Sequence, residues 1–173
     1  VDVSDDGDDG YAKATPEHRR DTLKRGFANI VDTDWIAKFV LGNNWRTASE
    51  AERKQYTELY RDFLTNIYVA NYAERSDRKI TGIHILDIAS TKDDGFTAHT
   101  NITLSNADQL RVDYLVSPRG EGYKIIDVII EDVSLLATHR AEFGRLAAGK
   151  GIRGAIAKLE GAAQSSLPIY SMR

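Results

Sequence analysis

The chain has 173 residues, with 23 Lys and Arg against 26 Asp and Glu and no cysteine. That length suits one domain with a sizeable core. A formal charge of -3 gives no basic excess for nucleic acid, the missing thiols exclude disulfides, thiolate metal sites and cysteine nucleophiles, and no apolar run is long enough to span a membrane.

The opening VDVSDDGDDG carries no hydrophobic signal core and reads as a processed or trimmed start. Asp2, Ser4 and Asp6 are faintly like a calcium loop, but its twelfth position is Lys13 where a bidentate glutamate is needed. Residues 1–14 are therefore expected to be a flexible acidic tail. Thr15, Pro16 and Glu17 open a charged helix to about residue 29, proline being tolerated in the first turn. A short helix follows, capped by Asp32 or Thr33, with Trp35, Ile36, Phe39 and Val40 on one face, and it stops at Gly42. Ser49 and Glu52 form a capping box at the head of a long helix to about residue 73. Its Tyr56, Leu59, Tyr60, Phe63, Ile67 and Ala70 recur every three or four residues as one buried stripe, with Tyr68 and Tyr72 beside it.

From residue 79 the period drops to two. A strand over 79–90 ends at a turn over 92–95. The next, over 96–104, sends Phe96, Ala98, Thr100, Ile102 and Leu104 to one face and Thr97, His99, Asn101 and Thr103 to the other. After a turn at 106–108, a strand over 109–116 groups Leu110, Val112, Tyr114 and Val116, and residues 118–122 turn again. Five of the six residues from Ile125 to Ile130 are Ile or Val, so that strand is covered on both faces or faces an oily cavity on one. Ser134 caps a helix to about residue 148, Gly149 and Gly151 break it, and a last helix occupies 152–159. Four consecutive strands with short turns make an antiparallel meander. The fold class is α+β: a curled four-stranded antiparallel sheet packed against N- and C-terminal helices, forming a cone-like apolar cavity. A single domain is expected over residues 15–165, with a C-terminal tail over 166–173.

Three stretches, DTDWIAKFVLGNNWRTASEAERKQYTELYRDFLTNIYV, RVDYLV and YKIIDVIIEDVSLLATHRAEF, carry a family pattern. Gly42 and Trp45 precede a capped helix with Tyr68 late in it. Val112-Asp113-Tyr114 follows, then Asp127-Val128, Val133-Ser134-Leu135, Arg140 and Phe143, all in one order. Over roughly residues 29–159 the chain resembles the MlaC family of periplasmic phospholipid-binding proteins, also called toluene-tolerance auxiliary proteins. The resemblance implies a cone distantly like the nuclear-transport-factor fold that holds lipid tails with the headgroup at its mouth, without enzymatic activity or cofactor. It further implies transport of phospholipid through the periplasm between an outer-membrane lipoprotein–porin complex and an inner-membrane ABC-type transporter with its periplasmic lipid-binding subunit, which maintains outer-membrane lipid asymmetry. A hopanoid-associated relative of the same family is the variant reading. Asp132 stands where glycine is expected, and Tyr56 and Tyr123 where Phe and Trp are more usual.

A lipid with its tails in water costs about 0.8 kcal/mol per exposed methylene, so a carrier needs an apolar sleeve and few charges. With the resemblance, the expected lipid-binding residues are Trp35, Phe39, Phe63, Ile67, Tyr68, Val112, Tyr114, Ile126, Val128 and Ile130. Each serves equally well as ordinary core, because periodicity does not separate a filled interior from a lined one. Arg46, Arg111 and Arg140 are candidates for a headgroup phosphate and equally for surface ion pairs. A rival reading places an isomerase or dehydratase in the same cone, with Asp127 as general base, His84 or His99 as partner and Tyr114 as oxyanion donor. Against it, His99 lies on a polar strand face and Asp127 is as readily a satisfied buried carboxylate. The four histidines form no metal spacing, and no phosphate loop, Gly-x-Ser-x-Gly elbow or His-Glu-x-x-His helix is present. A third reading is an interaction module whose cone is filled.

Overall fold

The computed structural model describes residues 15–72 and 80–164, so the tails expected over 1–14 and 166–173 lie outside the described residues. Helix α1 spans Pro16–Ile30, and the Thr15 hydroxyl accepts from the His18 amide over 3.2 Å. Asp32 caps α2, Thr33–Leu41, by accepting from the Trp35 amide, and Gly42 ends it at φ +54°, a left-handed geometry that favours glycine. A one-turn helix, α3, Asn43–Thr47, fills what the sequence left as a connection. The capping box then opens α4, Glu50–Tyr72: the Glu52 amide donates to Ser49 Oγ, and the Ser49 amide to Glu52 Oε2. The Arg153 side chain donates to the other Glu52 oxygen at 2.9 Å. That bond first, and the two from Ser49 after it, hold the Glu52 carboxyl down to about 2.

The sheet is antiparallel throughout and runs in chain order: β1 Ile80–Ser90, β2 Phe96–Leu104, β3 Gln109–Arg119, β4 Gly122–Ile130 and β5 Val133–Ser134. It has five strands, where the sequence pattern gave four. The extra one exists because Glu131 and Asp132, at φ +47° and +66°, form a two-residue turn of the kind that matches strand twist and fold Val133 back onto Ile130. Glycine is the natural occupant of the Asp132 position, since a side chain there sits in the left-handed region. The sheet does not close, and β1 forms one edge.

Two further helices follow, α5 Leu135–Lys150 and α6 Ile152–Gln164. The Tyr56, Tyr60 and Phe63 rings of α4 meet Phe143 of α5 at 6.4, 5.4 and 6.0 Å between centroids, mostly edge-on, with His139 in the same group. Leu41, Val40 and Leu159 complete this interior. A separate apolar cluster lies on the sheet, formed by Ile102, Val112 and Ile130 with Leu104, Leu110, Tyr114 and Val128 against them. Among the described residues the helices meet the sheet mainly at β4 and β5. There Val31 bridges to Ile125, and the Asp32 amide donates to the Ile125 carbonyl over 3.0 Å.

Candidate functional site

Paired residues in adjacent strands share a face, so the register shows what each face presents. One face reads in rungs: Ile83, Ile102 and Leu110; Ile85, Thr100, Val112 and Ile130; Ile88, Ala98, Tyr114 and Val128; Ser90, Phe96, Val116 and Ile125. Within the three rungs nearest β5 the polar side chains are Thr100 and Tyr114. Thr100 is buried and its hydroxyl donates to the Val112 carbonyl at 2.6 Å, so it presents methyl and not hydroxyl to this face. The opposite face carries His84, Asp87, His99, Asn101, Arg111 and Asp113. Nine residues of β2, at roughly 3.3 Å each, run about 30 Å. Half the hydrocarbon core of a bilayer, the depth of one acyl tail, is about 15 Å.

Burial on the apolar face falls off sharply across the strands. Val112 is 0% and Ile102 2% exposed, whereas Ile83, Ile85 and Ile88 on the same face are 58, 66 and 57% exposed. β1 is the sheet edge, and a register break between Ile85 and Asp87 keeps all three isoleucines on this face. Leu86 is the extra residue of a bulge, so Asp87 pairs with His99 on the polar face and Ile88 rejoins the apolar one. The bulge also hid these isoleucines from sequence reading, because it breaks the two-residue alternation by which a half-buried strand is recognised. Their signal was the triplet of isoleucines at 83, 85 and 88, regular except for one inserted residue.

Seven of the ten expected lipid-binding residues belong to one or other of the two clusters. Val112, Tyr114, Val128 and Ile130 meet on the apolar sheet face, and Ile126 is the extra residue of a second bulge in β4, half-buried. Phe63 belongs to the filled helical interior, with Trp35 and Ile67 packed against it. Trp35 and Phe39 stack at 5.0 Å, with the Arg119 guanidinium over Trp35 and that of Arg140 over Phe39. The side chain of Tyr68 lies outside the described residues.

Two of the three arginines weighed for a headgroup have other partners. Arg111 pairs with Asp132, and Arg140 donates to the Phe39 carbonyl at the end of α2. Arg46 is exposed on α3. The acid–base constellation is not assembled. Asp127 accepts from the Ser134 hydroxyl at 2.6 Å and from the Leu136 amide at 3.0 Å, which makes it a cap for α5. It pairs with Leu115 in the ladder, one residue out of step with Tyr114, so the two side chains point to opposite faces. His99 Nδ1 lies 3.0 Å from Asp113. A cleft along α1, lined by His18, Asp21, Lys24 and Arg25, is open and charged and offers hydrocarbon nothing. Among the described residues no cluster of three or more metal-ligating side chains occurs, and no helix is long and apolar enough to cross a membrane.

The fold is similar to that of the phospholipid-binding protein from Ralstonia solanacearum solved in complex with a phospholipid. The TM-score is 0.73 at 16% identity, covering 90% of this chain and 86% of that one. At that identity the likeness is one of fold. The family model described as MlaC protein matches residues 5–161, a stretch that includes every helix before the sheet, all five strands and α5, and the chain therefore belongs to the MlaC family.

Proposed function

We propose that this protein is a periplasmic phospholipid carrier. Acyl tails lie along the apolar face of β2–β4 while the headgroup stays in water, and the loaded protein passes between an outer-membrane lipoprotein–porin complex and an inner-membrane ABC-type transporter with its periplasmic lipid-binding subunit. Its role is then to maintain the lipid asymmetry of the outer membrane. The observation that carries the reading is the sheet face itself: about 30 Å of Ile, Val, Leu, Ala and aromatic side chains whose buried hydroxyl is turned inward onto the backbone. Three isoleucines left exposed beside such a face mark a surface that meets an apolar ligand, a membrane or a partner, and its continuity with the buried rungs favours the ligand. Family membership and the phospholipid in the similar Ralstonia solanacearum structure support the same cargo.

Of the residues marked in the sequence, Val112, Tyr114, Ile126, Val128 and Ile130 form the proposed lipid wall. Trp35, Phe63 and Ile67 belong to the helical interior, with Phe39 stacked on Trp35. Organic extraction of the purified protein followed by mass spectrometry tests the proposal. Phospholipid in near-stoichiometric amount supports it, a polycyclic lipid reassigns the cargo within the family, and an empty extract or small polar metabolites overturn it.

A further inference from the structure

We infer that the rim formed by Ile83, Ile85 and Ile88 of β1 is the portal through which an acyl chain slides onto and off the apolar sheet face. The inference rests on the carrier reading above and adds the route to it. Three observations lead to it. The rim is continuous with the buried cluster, since Ile85, Thr100, Val112 and Ile130 form one rung, and Ile83 and Ile88 start the rungs on either side. Exposure rises from 0% at Val112 to 66% at Ile85 along that rung, so the face grades from a water-free interior to open solvent without meeting a charge. A tail entering here exchanges water for hydrocarbon one methylene at a time, and no polar side chain has to be stripped of its hydration.

The occupant is a hydrocarbon chain and not a strand from a partner. β1 is a free edge, which elsewhere invites strand addition. Here the edge carries two register breaks, between Ile80 and Gly82 and between Ile85 and Asp87, and bulges with a charged residue on the edge are devices that block such pairing. The second break has another consequence. An unbroken alternation from Ile83 and Ile85 places Asp87 on the apolar face, whereas the Leu86 insertion turns it to the polar side opposite His99. The bulge thus clears a carboxylate from the rim and puts Ile88 there instead.

The test uses the full chain and vesicles of phosphatidylglycerol carrying a fluorescent-tail analogue, with uptake and release followed by stopped-flow fluorescence. Ile85→Lys places a hydrated charge in the path at an exposed position. Uptake and release are both expected to slow about tenfold with their ratio holding, the signature of a raised barrier between unchanged end states. His84→Lys, the same charge on the opposite face of the same strand, is expected to leave both rates alone. Wild-type rates in Ile85→Lys overturn the portal. A drop in the amount of lipid held, with release unchanged or faster, overturns it in favour of β1 as part of the wall. A wild-type dimer that Ile85→Lys dissolves overturns it in favour of a second copy on this rim. Wild-type protein that takes up no lipid from the vesicles and yields none on extraction removes the carrier reading, and the portal with it, which separates that failure from failure of the route alone.

Discussion

The Ser134 hydroxyl donates to Asp127 over 2.6 Å, tying the middle of β4 to the first turn of α5 across the Glu131–Asp132 turn. The other Asp127 oxygen takes the Leu136 amide, one of the donors that the start of a helix leaves without an intrahelical partner. An aspartate inside an apolar strand is thus accounted for by architecture. Asp127→Asn replaces one acceptor by an NH2 and is expected to lower stability by about 1–3 kcal/mol, because one of two buried bonds is lost and the other is no longer made to a charged group. The same variant is expected to copurify with lipid at the wild-type level. Unfolding by urea and lipid extraction check the two halves, and loss of lipid at unchanged stability would show that Asp127 acts at the lipid site and not only as a cap.

Val128 lies on the apolar face opposite Tyr114 and is half-buried. Val128→Trp fills the proposed tail path with an indole while remaining apolar, which a face in contact with lipid tolerates better than a close-packed interior does. Lipid copurification is expected to vanish while circular dichroism stays near native. Retained lipid would falsify this placement of the wall.

Most of the fold was legible because its determinants are local. Thr15, Asp32, the Ser49–Glu52 box and Ser134 act as caps where their side chains allow, and β2 and β3 group the apolar residues by their alternation. What escaped were the places where one residue changes the phase. Leu86 and Ile126 are bulge residues, and the Glu131–Asp132 turn, without a glycine, hides a fifth strand. The candidate site was legible only in part for a related reason. Phe63 and Ile67 follow the same helical periodicity whether they fill an interior or line a cavity. Only three-dimensional packing separates Phe63, held edge-on by Phe143, from Val112 on the sheet.

Tyr56 is fully buried and its hydroxyl has no hydrogen-bond partner among the described residues, and burial pushes its ionisation well above the usual tyrosine value. An unsatisfied buried hydroxyl costs roughly 1–3 kcal/mol, so removing it without changing the ring is favourable. Tyr56→Phe is expected to raise stability by about 1 kcal/mol, or about 2–4 °C in melting temperature for a domain of this size. Differential scanning calorimetry reads the shift, and a lowered melting temperature would show that the hydroxyl has a partner after all.

His139 is buried within the aromatic interior, and the Tyr60 hydroxyl oxygen lies 2.7 Å from its Nδ1. Burial lowers its pKa from the usual 6.5, opposed by the negative charges of Glu142 and Asp127. The unfolded chain therefore takes up a proton near pH 6.5 that the folded chain refuses until lower pH. Stability from this residue is fully present above about pH 6.5 and is lost as pH falls below it, by at most about 1.4 kcal/mol per pH unit. Glutamine keeps a polar partner for Tyr60 and cannot titrate in this range. Urea unfolding of wild type and His139→Gln at pH 7.5, 6.5 and 5.5 is therefore expected to show a steeper loss in the wild type. The exposed carboxylates contribute equally to both proteins, so the difference in slope isolates the imidazole. Parallel slopes would mean that the folded interior accepts the charge, and that the aromatic group around Phe143 is open to water.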